Sequence, residues 1–158
     1  MAVTTFSGID EVRAAVGRHL GHSDWTTVTQ AQVDTFAEAT GDHQWIHVDP
    51  ERARAESPFG GPIAHGYLTL ALTNLFLPQV VDVQGVSLGV NRGTGKIRFP
   101  APVPVGSRLR AGVELVSVDD VVRDGEVTGI DTMMLITVER EGTDKPVCVV
   151  ESLSRYLA

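Results

Sequence analysis

Apolar residues recur at helical spacing near the start of the chain. Ile9, Val12, Val16 and Leu20 follow one another at intervals of three and four residues. This spacing places them on one face of a helix, so we predict an amphipathic first helix here. Gly17 weakens the end of that helix, because glycine lowers helix stability.

The next helices are marked by their termini. Thr29 followed by Gln32 is typical of a capping box, in which two side chains satisfy backbone N–H groups of the first turn. Gly41 stands where a glycine in the left-handed conformation would end that helix. Asp49 before Pro50 then predicts a further short helix, with the carboxylate as N-cap and proline at the first helical position.

An uncharged segment follows. Residues 57–81 contain no Asp, Glu, Lys or Arg, and residues 63–77 predict an apolar helix bracketed by Pro58, Pro62 and Pro78. A membrane-spanning helix needs roughly 20 apolar residues, which is more than this segment offers. A helix that is apolar on nearly every face must also be covered on nearly every face. We therefore predict a buried central helix and no membrane span.

The second half of the chain has the pattern of strands. Residues 109–115 alternate between apolar and polar positions, as a half-buried strand does, and residues 100–106 form a proline-rich connector. Helices followed by strands favour an α+β fold in which a curved antiparallel sheet wraps around the central helix. The predicted strands are residues 86–91, 96–99, 109–115, 132–140 and 147–156, with a charged hairpin loop at 119–125.

Composition limits the possible functions. The chain has 158 residues, which fits one domain covering residues 1–158. Thirteen Lys and Arg residues against 20 Asp and Glu residues give a net charge of −7, which argues against nucleic-acid binding. Cys148 is the only cysteine. It excludes an internal disulfide framework and a thiolate zinc cluster and suits a reducing compartment. Because the N-terminus also has no secretory pattern, we expect a cytoplasmic protein.

The densest group of titratable residues lies at positions 42–49 and 65. Asp42 comes just after a predicted helix end and His47 follows five residues later, so a short turn can bring both side chains to one water molecule. Such a pair can take a proton from water and return one to a carbon. Backbone N–H groups near His65 and Gly66 suit a developing oxyanion. In the structural alternative, Asp42 caps a turn and His47 is a hydrogen-bonded, half-buried histidine.

A metal site is a second alternative for the same residues. His43 and His47 are four residues apart, and His65 or Asp49 would complete a set of histidine and carboxylate ligands. However, Gly41 places the two histidines in a predicted loop, where a four-residue spacing no longer puts side chains on one face. We therefore predict no metal site.

Three segments together resemble a known family. ATGDHQWIHVDP at residues 39–50, FGGPIAHGYL at residues 59–68 and KIRFPAPVPVG at residues 96–106 are similar, in this order, to segments of the MaoC-like, (R)-specific enoyl-CoA hydratases. The resemblance implies a hot-dog fold, usually dimeric. It also implies a hydro-lyase of fatty acid metabolism that adds water to trans-2-enoyl-CoA and gives (R)-3-hydroxyacyl-CoA.

The resemblance also implies roles for individual residues. Asp42 and His47 match the catalytic dyad, with the proton transferred by either member, and Gly66 matches the glycine whose N–H faces the thioester carbonyl. Asn74 is expected to hydrogen-bond the dyad. His65 is expected to bond a backbone carbonyl and set the start of the central helix.

The resemblance further suggests where the substrate lies. Between the two dyad members the family often has Asn-Pro, whereas this chain has Gln44 and Trp45. Trp45 is expected to change the wall of the pocket beside the acyl tail. Lys96 and Arg98 are expected either to meet coenzyme A phosphates or to form a solvated strand face. No cofactor is expected beyond the coenzyme A that the substrate carries.

Two other functions remain open on the same fold. An acyl-CoA thioesterase would use Asp42 to activate water at the thioester carbonyl. A non-catalytic, acyl-CoA-binding half of a paired hydratase would keep the fold alone, although it would have no chemical need for both Asp42 and His47.

Overall fold

The computed structural model describes residues 2–158 and contains six short helices. They are α1 (Ile9–Ala14), α2 (Gln30–Thr40), α3 (Trp45–Val48), α4 (Pro50–Glu56), α5 (Gly66–Ala71) and α6 (Thr73–Val80). The helix termini follow the predicted chemistry. Thr29 accepts a hydrogen bond from the Gln32 N–H at 3.2 Å, Gly41 is left-handed with φ 81°, and Asp49 accepts from the Arg52 N–H at 3.0 Å.

The strands form one large antiparallel sheet and one small parallel pair. The large sheet has the order β2-β6-β7-β8-β5, with β3 also paired to β6, and the small pair joins β1 to β4. The strands are β1 (Thr4–Phe6), β2 (His19–His22), β3 (Thr26–Thr27), β4 (Val81–Val83), β5 (Leu88–Arg98), β6 (Arg108–Arg123), β7 (Glu126–Arg140) and β8 (Cys148–Leu157).

The core lies between the large sheet and the helices α5 and α6. Leu68, Leu72, Phe76 and Val80 repeat every four residues and are all buried. They belong to one hydrophobic cluster with the inward-facing residues of β6 and β7, such as Leu115. Burial of these side chains supplies the main driving force for joining the helices to the sheet. The α+β prediction is therefore confirmed.

The central helix differs from its prediction in extent and continuity. It begins at Gly66 and ends at Val80, and Leu72 separates α5 from α6. At this break the Thr73 hydroxyl donates a hydrogen bond to the Leu70 carbonyl oxygen at 2.7 Å, and such a side-chain bond bends a helix. Pro78 lies inside α6 instead of beyond it. Among residues 2–158, no helix is long and apolar enough to cross a membrane.

Several other predicted elements also differ. The first helix ends at Ala14, and Leu20 lies in β2, because left-handed Gly17 turns the chain and donates its N–H to the Leu115 carbonyl. Residues 86–91 and 96–99 are not separate strands, since β5 runs continuously with two irregularities. Residues 119–125 are not a loop, because β6 and β7 extend to a tight turn at Asp124 and Gly125.

The capping box forms only in part. The Oε1 atom of Gln32 is buried and lacks a hydrogen-bond partner in the described part of the chain, so Gln32 does not return the bond to Thr29.

Candidate active site

Asp42 and His47 lie on either side of a short turn after α2. Gly41 ends α2, and the next residues lead into the one-turn helix α3, which carries His47. The turn is held by the Asp42 carboxylate, which accepts from the Gln44 N–H at 3.3 Å, and by the Thr40 hydroxyl, which accepts from the Asp42 N–H at 3.4 Å. The Asp42 side chain is 53% exposed, whereas His47 is 6% exposed.

The environment of His47 fixes its tautomer. Its Nδ1 atom lies 2.6 Å from the carbonyl oxygen of Ile63, which only accepts, so Nδ1 carries the proton. Burial lowers the pKa of His47, and the neighbouring His65 ring lowers it further, while the Ile63 carbonyl and the Asp42 carboxylate partly offset the decrease. His47 is therefore neutral near pH 7 and presents Nε2 as a lone-pair acceptor.

His65 connects the two members of this pair. Its ring stacks on the His47 ring with centroids 3.9 Å apart, and the Phe36 ring lies 4.9 Å from it. Its Nε2–H donates to the backbone carbonyl of Asp42 at 3.0 Å. The residue is 2% exposed and is the N-cap residue of α5. The Nδ1 atom is buried and has no hydrogen-bond partner within residues 2–158.

Together these residues form a compact cluster. One carboxylate oxygen of Asp42 and one ring nitrogen each of His47 and His65 lie within 4.8 Å of one another. Two groups at this separation can both hydrogen-bond one water, since each bond is about 2.8 Å long. The two imidazole rings stack with their planes 28° apart. Asp42 and His47 can therefore share one water molecule.

The other two ligands considered for a metal lie outside this cluster. His43 is half-exposed and faces Glu38 at 3.6 Å, and the Asp49 carboxylate caps α4. The metal set that the sequence suggested is therefore not assembled as a unit.

Gly66 opens the central helix next to the cluster. As the first residue of α5, it has a backbone N–H with no acceptor inside the helix. A Cβ at this position would lie 3.2 Å from the ring of Phe99, so glycine allows that ring to approach closely. Gly66 and Phe99 line a cavity of about 300 Å³ next to the proline-rich connector, which we call the connector cavity.

A second cavity lies between the central helix and the strands β5 and β8. This helix–strand cavity has a volume of about 450 Å³. It reaches the cluster through Phe36, which contacts His65, and through Thr40, which bonds to the Asp42 N–H. Its lining includes Phe36, Thr40, Tyr67, Asn74, Asn91 and Ser152.

The structure does not bring Asn74 to the dyad. Its side chain is exposed, lines the helix–strand cavity and makes no hydrogen bond to Asp42 or His47 in the described chain. Asn74 lies eight residues after Gly66, which corresponds to about 12 Å along a helix axis. The predicted hydrogen bond is therefore not formed in the described chain.

Trp45, Lys96 and Arg98 lie outside the cluster. Trp45 is half-buried under the Arg52 guanidinium at 4.3 Å and is not among the residues that line the two cavities. Lys96 and Arg98 are exposed on β5, and neither side chain pairs with an acidic group within residues 2–158.

The sequence analysis missed two contributors to the site. The Ile63 carbonyl orients His47, but a backbone contact of this kind leaves no side-chain signal in a sequence. Phe36 lies in α2 and packs on His65. Its helical spacing indicated burial alone.

A curved antiparallel sheet around a central helix, with an acid and two imidazoles at the start of that helix, defines a hot-dog protein with a site for acid–base chemistry. Comparison with known proteins gives the family. The model of the MaoC like domain matches residues 11–135. The chain is also 54% identical over 154 residues to 3-hydroxyacyl-thioester dehydratase Z of Mycobacterium tuberculosis, covering 98% of this chain and 99% of that relative.

Solved structures show the same fold. The monoamine oxidase regulatory protein from Archaeoglobus fulgidus has a TM-score of 0.74 at 23% identity, covering 100% of this chain and 99% of that one. An R-hydratase from Pseudomonas aeruginosa has a TM-score of 0.68 at 23% identity, covering 88% and 79%. The chain belongs to the MaoC-like dehydratase family and is a hydro-lyase, which confirms the predicted family, fold and enzyme class.

Proposed function

We propose that the protein catalyses the reversible, (R)-specific hydration of trans-2-enoyl-CoA to (R)-3-hydroxyacyl-CoA. The observation that carries the proposal is the approach of the Asp42 carboxylate and a His47 ring nitrogen to within 4.8 Å. The named dehydratase relative acts on 3-hydroxyacyl thioesters by its name, which supports the same substrate class.

The chemistry follows from the protonation states. A water between Asp42 and His47 donates its hydrogens to the carboxylate and to the free Nε2 atom, since both are acceptors. As the pair removes one proton, the hydroxyl oxygen bonds to C3 and the double-bond electrons move onto the thioester oxygen. The same pair then returns a proton to C2, so that one water is added in total.

Gly66 is the proposed donor to the thioester oxygen. Its free helical N–H would stabilise the enolate, and removing one oxyanion donor in comparable sites costs about 3 kcal/mol. Because the thioester already acidifies C2, the reaction as proposed needs no cofactor besides the coenzyme A of the substrate.

Lys96 and Arg98 are proposed to bind the coenzyme A phosphates. Both lie on β5 just before Phe99, which lines the connector cavity, and their side chains have no acidic partner in the described chain. This geometry favours the pantetheine end of the substrate in the connector cavity and the acyl chain in the helix–strand cavity. Trp45, which lines neither cavity, is not included in this proposal.

A second copy of the chain is the proposed partner. Strand β5 is an edge strand that pairs only with β8, and most of its residues are exposed. Tyr67 is 73% exposed and its ring lies 6.5 Å from that of Phe99. Unpaired strand edges favour association, so we expect a homodimer by light scattering. A reducing, cytoplasmic location fits the single free Cys148.

The decisive experiment measures crotonyl-CoA hydration through the loss of the enoyl-thioester absorbance. Asp42→Asn and His47→Gln are each expected to lower kcat/KM by about 100-fold or more. His43→Gln is the matched control, since His43 is half-exposed and outside the cluster. Near-normal turnover in either dyad variant would refute the assignment. Release of free thiol from saturated acyl-CoA would instead indicate a thioesterase.

A further inference from the structure

The helix–strand cavity continues into a smaller one at its far end. This polar recess has a volume of about 180 Å³ and shares Thr73, Asn74, Asn91 and Ser152 with the helix–strand cavity. Since the near end of the larger cavity reaches Phe36 beside His65, the two form one continuous path away from the catalytic cluster. An acyl chain that starts at the cluster therefore ends in the recess.

Polar groups without partners surround the recess. Ser152 is 7% exposed, and its hydroxyl forms no hydrogen bond within residues 2–158, nor do the hydroxyls of Ser154 and Tyr156. The side-chain oxygen Oδ1 of Asn91 accepts from the Gly93 N–H at 2.8 Å, and the side-chain NH2 group of Asn91 makes no hydrogen bond in the described chain. These hydroxyl and amide groups are therefore available to hydrogen-bond a polar occupant of the recess.

The lining also indicates that the occupant is uncharged. The described residues that line the recess and the helix–strand cavity include no Asp, Glu, Lys, Arg or His. A buried charged group would lack a counter-ion here and would be costly to desolvate. A hydroxyl can both donate to and accept from the serine, tyrosine and asparagine side chains. It therefore matches this lining better than a carboxylate or a methyl group.

The position of the recess sets the length of the acyl chain that can reach it. Asn74, which lines it, lies about 12 Å from Gly66 at a helical rise of 1.5 Å per residue. An extended chain of single bonds advances about 1.2 Å per bond. Building on the proposed function, we propose that the preferred substrate carries a hydroxyl group about ten bonds from the thioester carbonyl. The polar recess recognises this hydroxyl.

The test compares 10-hydroxy-trans-2-decenoyl-CoA with trans-2-decenoyl-CoA, which differ only in the distal hydroxyl. We expect wild-type kcat/KM to be about tenfold higher for the hydroxylated thioester. Tyr156→Phe, at a residue that lines only the recess, should lower this ratio several-fold without reducing turnover of the plain thioester, and Ser152→Ala should lower the ratio as well. Ser117→Ala is the matched control, since Ser117 lies on β6 and is not among the residues that line the two cavities.

Three outcomes would overturn the inference. They are a wild-type ratio near one, an equal effect of the variants on both thioesters, or a change in oligomeric state with the ratio unchanged. The last outcome would show that the recess contacts a second copy. If neither thioester is hydrated, the proposed function fails. Binding of 10-hydroxydecanoyl-CoA and decanoyl-CoA, measured by calorimetry, then decides the inference by the presence or absence of the same preference.

Discussion

Replacement of His65 by two amides of different length separates its two contacts. Glutamine places its terminal nitrogen near the position of His65 Nε2 and can keep the hydrogen bond to the Asp42 carbonyl. Asparagine is one methylene shorter and cannot reach that oxygen. Both replacements remove the ring that stacks on His47 at 3.9 Å. The difference between the two variants therefore reports the hydrogen bond alone, and their common effect reports the stacked ring.

The expected magnitude follows from the contact that is lost. A typical hydrogen bond contributes about 0.5–1.5 kcal/mol net, which corresponds to a factor of about 2 to 13. We expect kcat/KM for crotonyl-CoA to be lower in His65→Asn than in His65→Gln by this factor, because the turn that carries Asp42 is no longer held in place.

The dependence of kcat/KM on pH reports the effect that both variants share, which is the loss of the stacked His65 ring. In the wild type the pKa of His47 lies below its usual value of 6.5, so activity that needs its Nε2 lone pair is lost only below that pH. The same lowered pKa contributes stability that is full above pH 6.5 and is lost as pH falls through the folded-state value. Without the His65 ring, the burial and the charge repulsion both decrease. The acid limb of kcat/KM should therefore move to higher pH in both variants.

Absorbance assays of crotonyl-CoA hydration between pH 5 and 9 provide the measurement, with urea denaturation as the control for folding. The reasoning is refuted if His65→Asn and His65→Gln have equal kcat/KM. It is also refuted if the acid limb stays at its wild-type position in both variants.

Three further predictions concern stability and reactivity. Phe76→Ala should lower the free energy of unfolding by about 3–5 kcal/mol in urea denaturation, since Phe76 is fully buried under the sheet, and a loss below 1 kcal/mol would contradict this packing. Gly129→Ala should lower Tm strongly, because its Cβ would lie 2.3 Å from the Tyr156 carbonyl oxygen, while Gly8→Ala, with open space around it, should leave Tm unchanged. Cys148 is buried, and burial raises its thiol pKa to about 11. The native protein should therefore resist thiol labelling at pH 8 until urea is added. Rapid labelling of the native state would count against this burial.

Local chemistry made part of the fold predictable. The helix termini at Thr29, Gly41 and Asp49 depend on a few neighbouring residues and were confirmed, although Gln32 does not complete the capping box. The break at Leu72 was not predicted, because it arises from a hydroxyl-to-carbonyl bond that a hydrophobic pattern does not encode. The continuous strand β5 was also missed. Its glycines look like a turn in sequence, but β5 pairs with β8 on both sides of the two irregularities near Gly93 and Gly95.

Only part of the candidate site could be predicted from the sequence, as with the fold. Asp42 and His47 could be proposed from their spacing after a helix end. The role of His65 as a donor to a backbone carbonyl matches the expectation for it. Its stacking on His47 depends on a contact between residues 18 positions apart, which requires the tertiary structure. Asn74 lies on the central helix, as the sequence predicted, but the sequence pattern does not show whether its side chain reaches Asp42 or His47.

The Nδ1 atom of His65, which has no hydrogen-bond partner in the described chain, has a consequence for protein engineering. A buried acceptor without a donor costs about 1–3 kcal/mol, and a typical domain has a net stability of only 5–15 kcal/mol. We therefore expect a trade between stability and activity at position 65. Libraries screened for heat resistance alone should contain replacements of this histidine that raise Tm and lower kcat/KM for crotonyl-CoA.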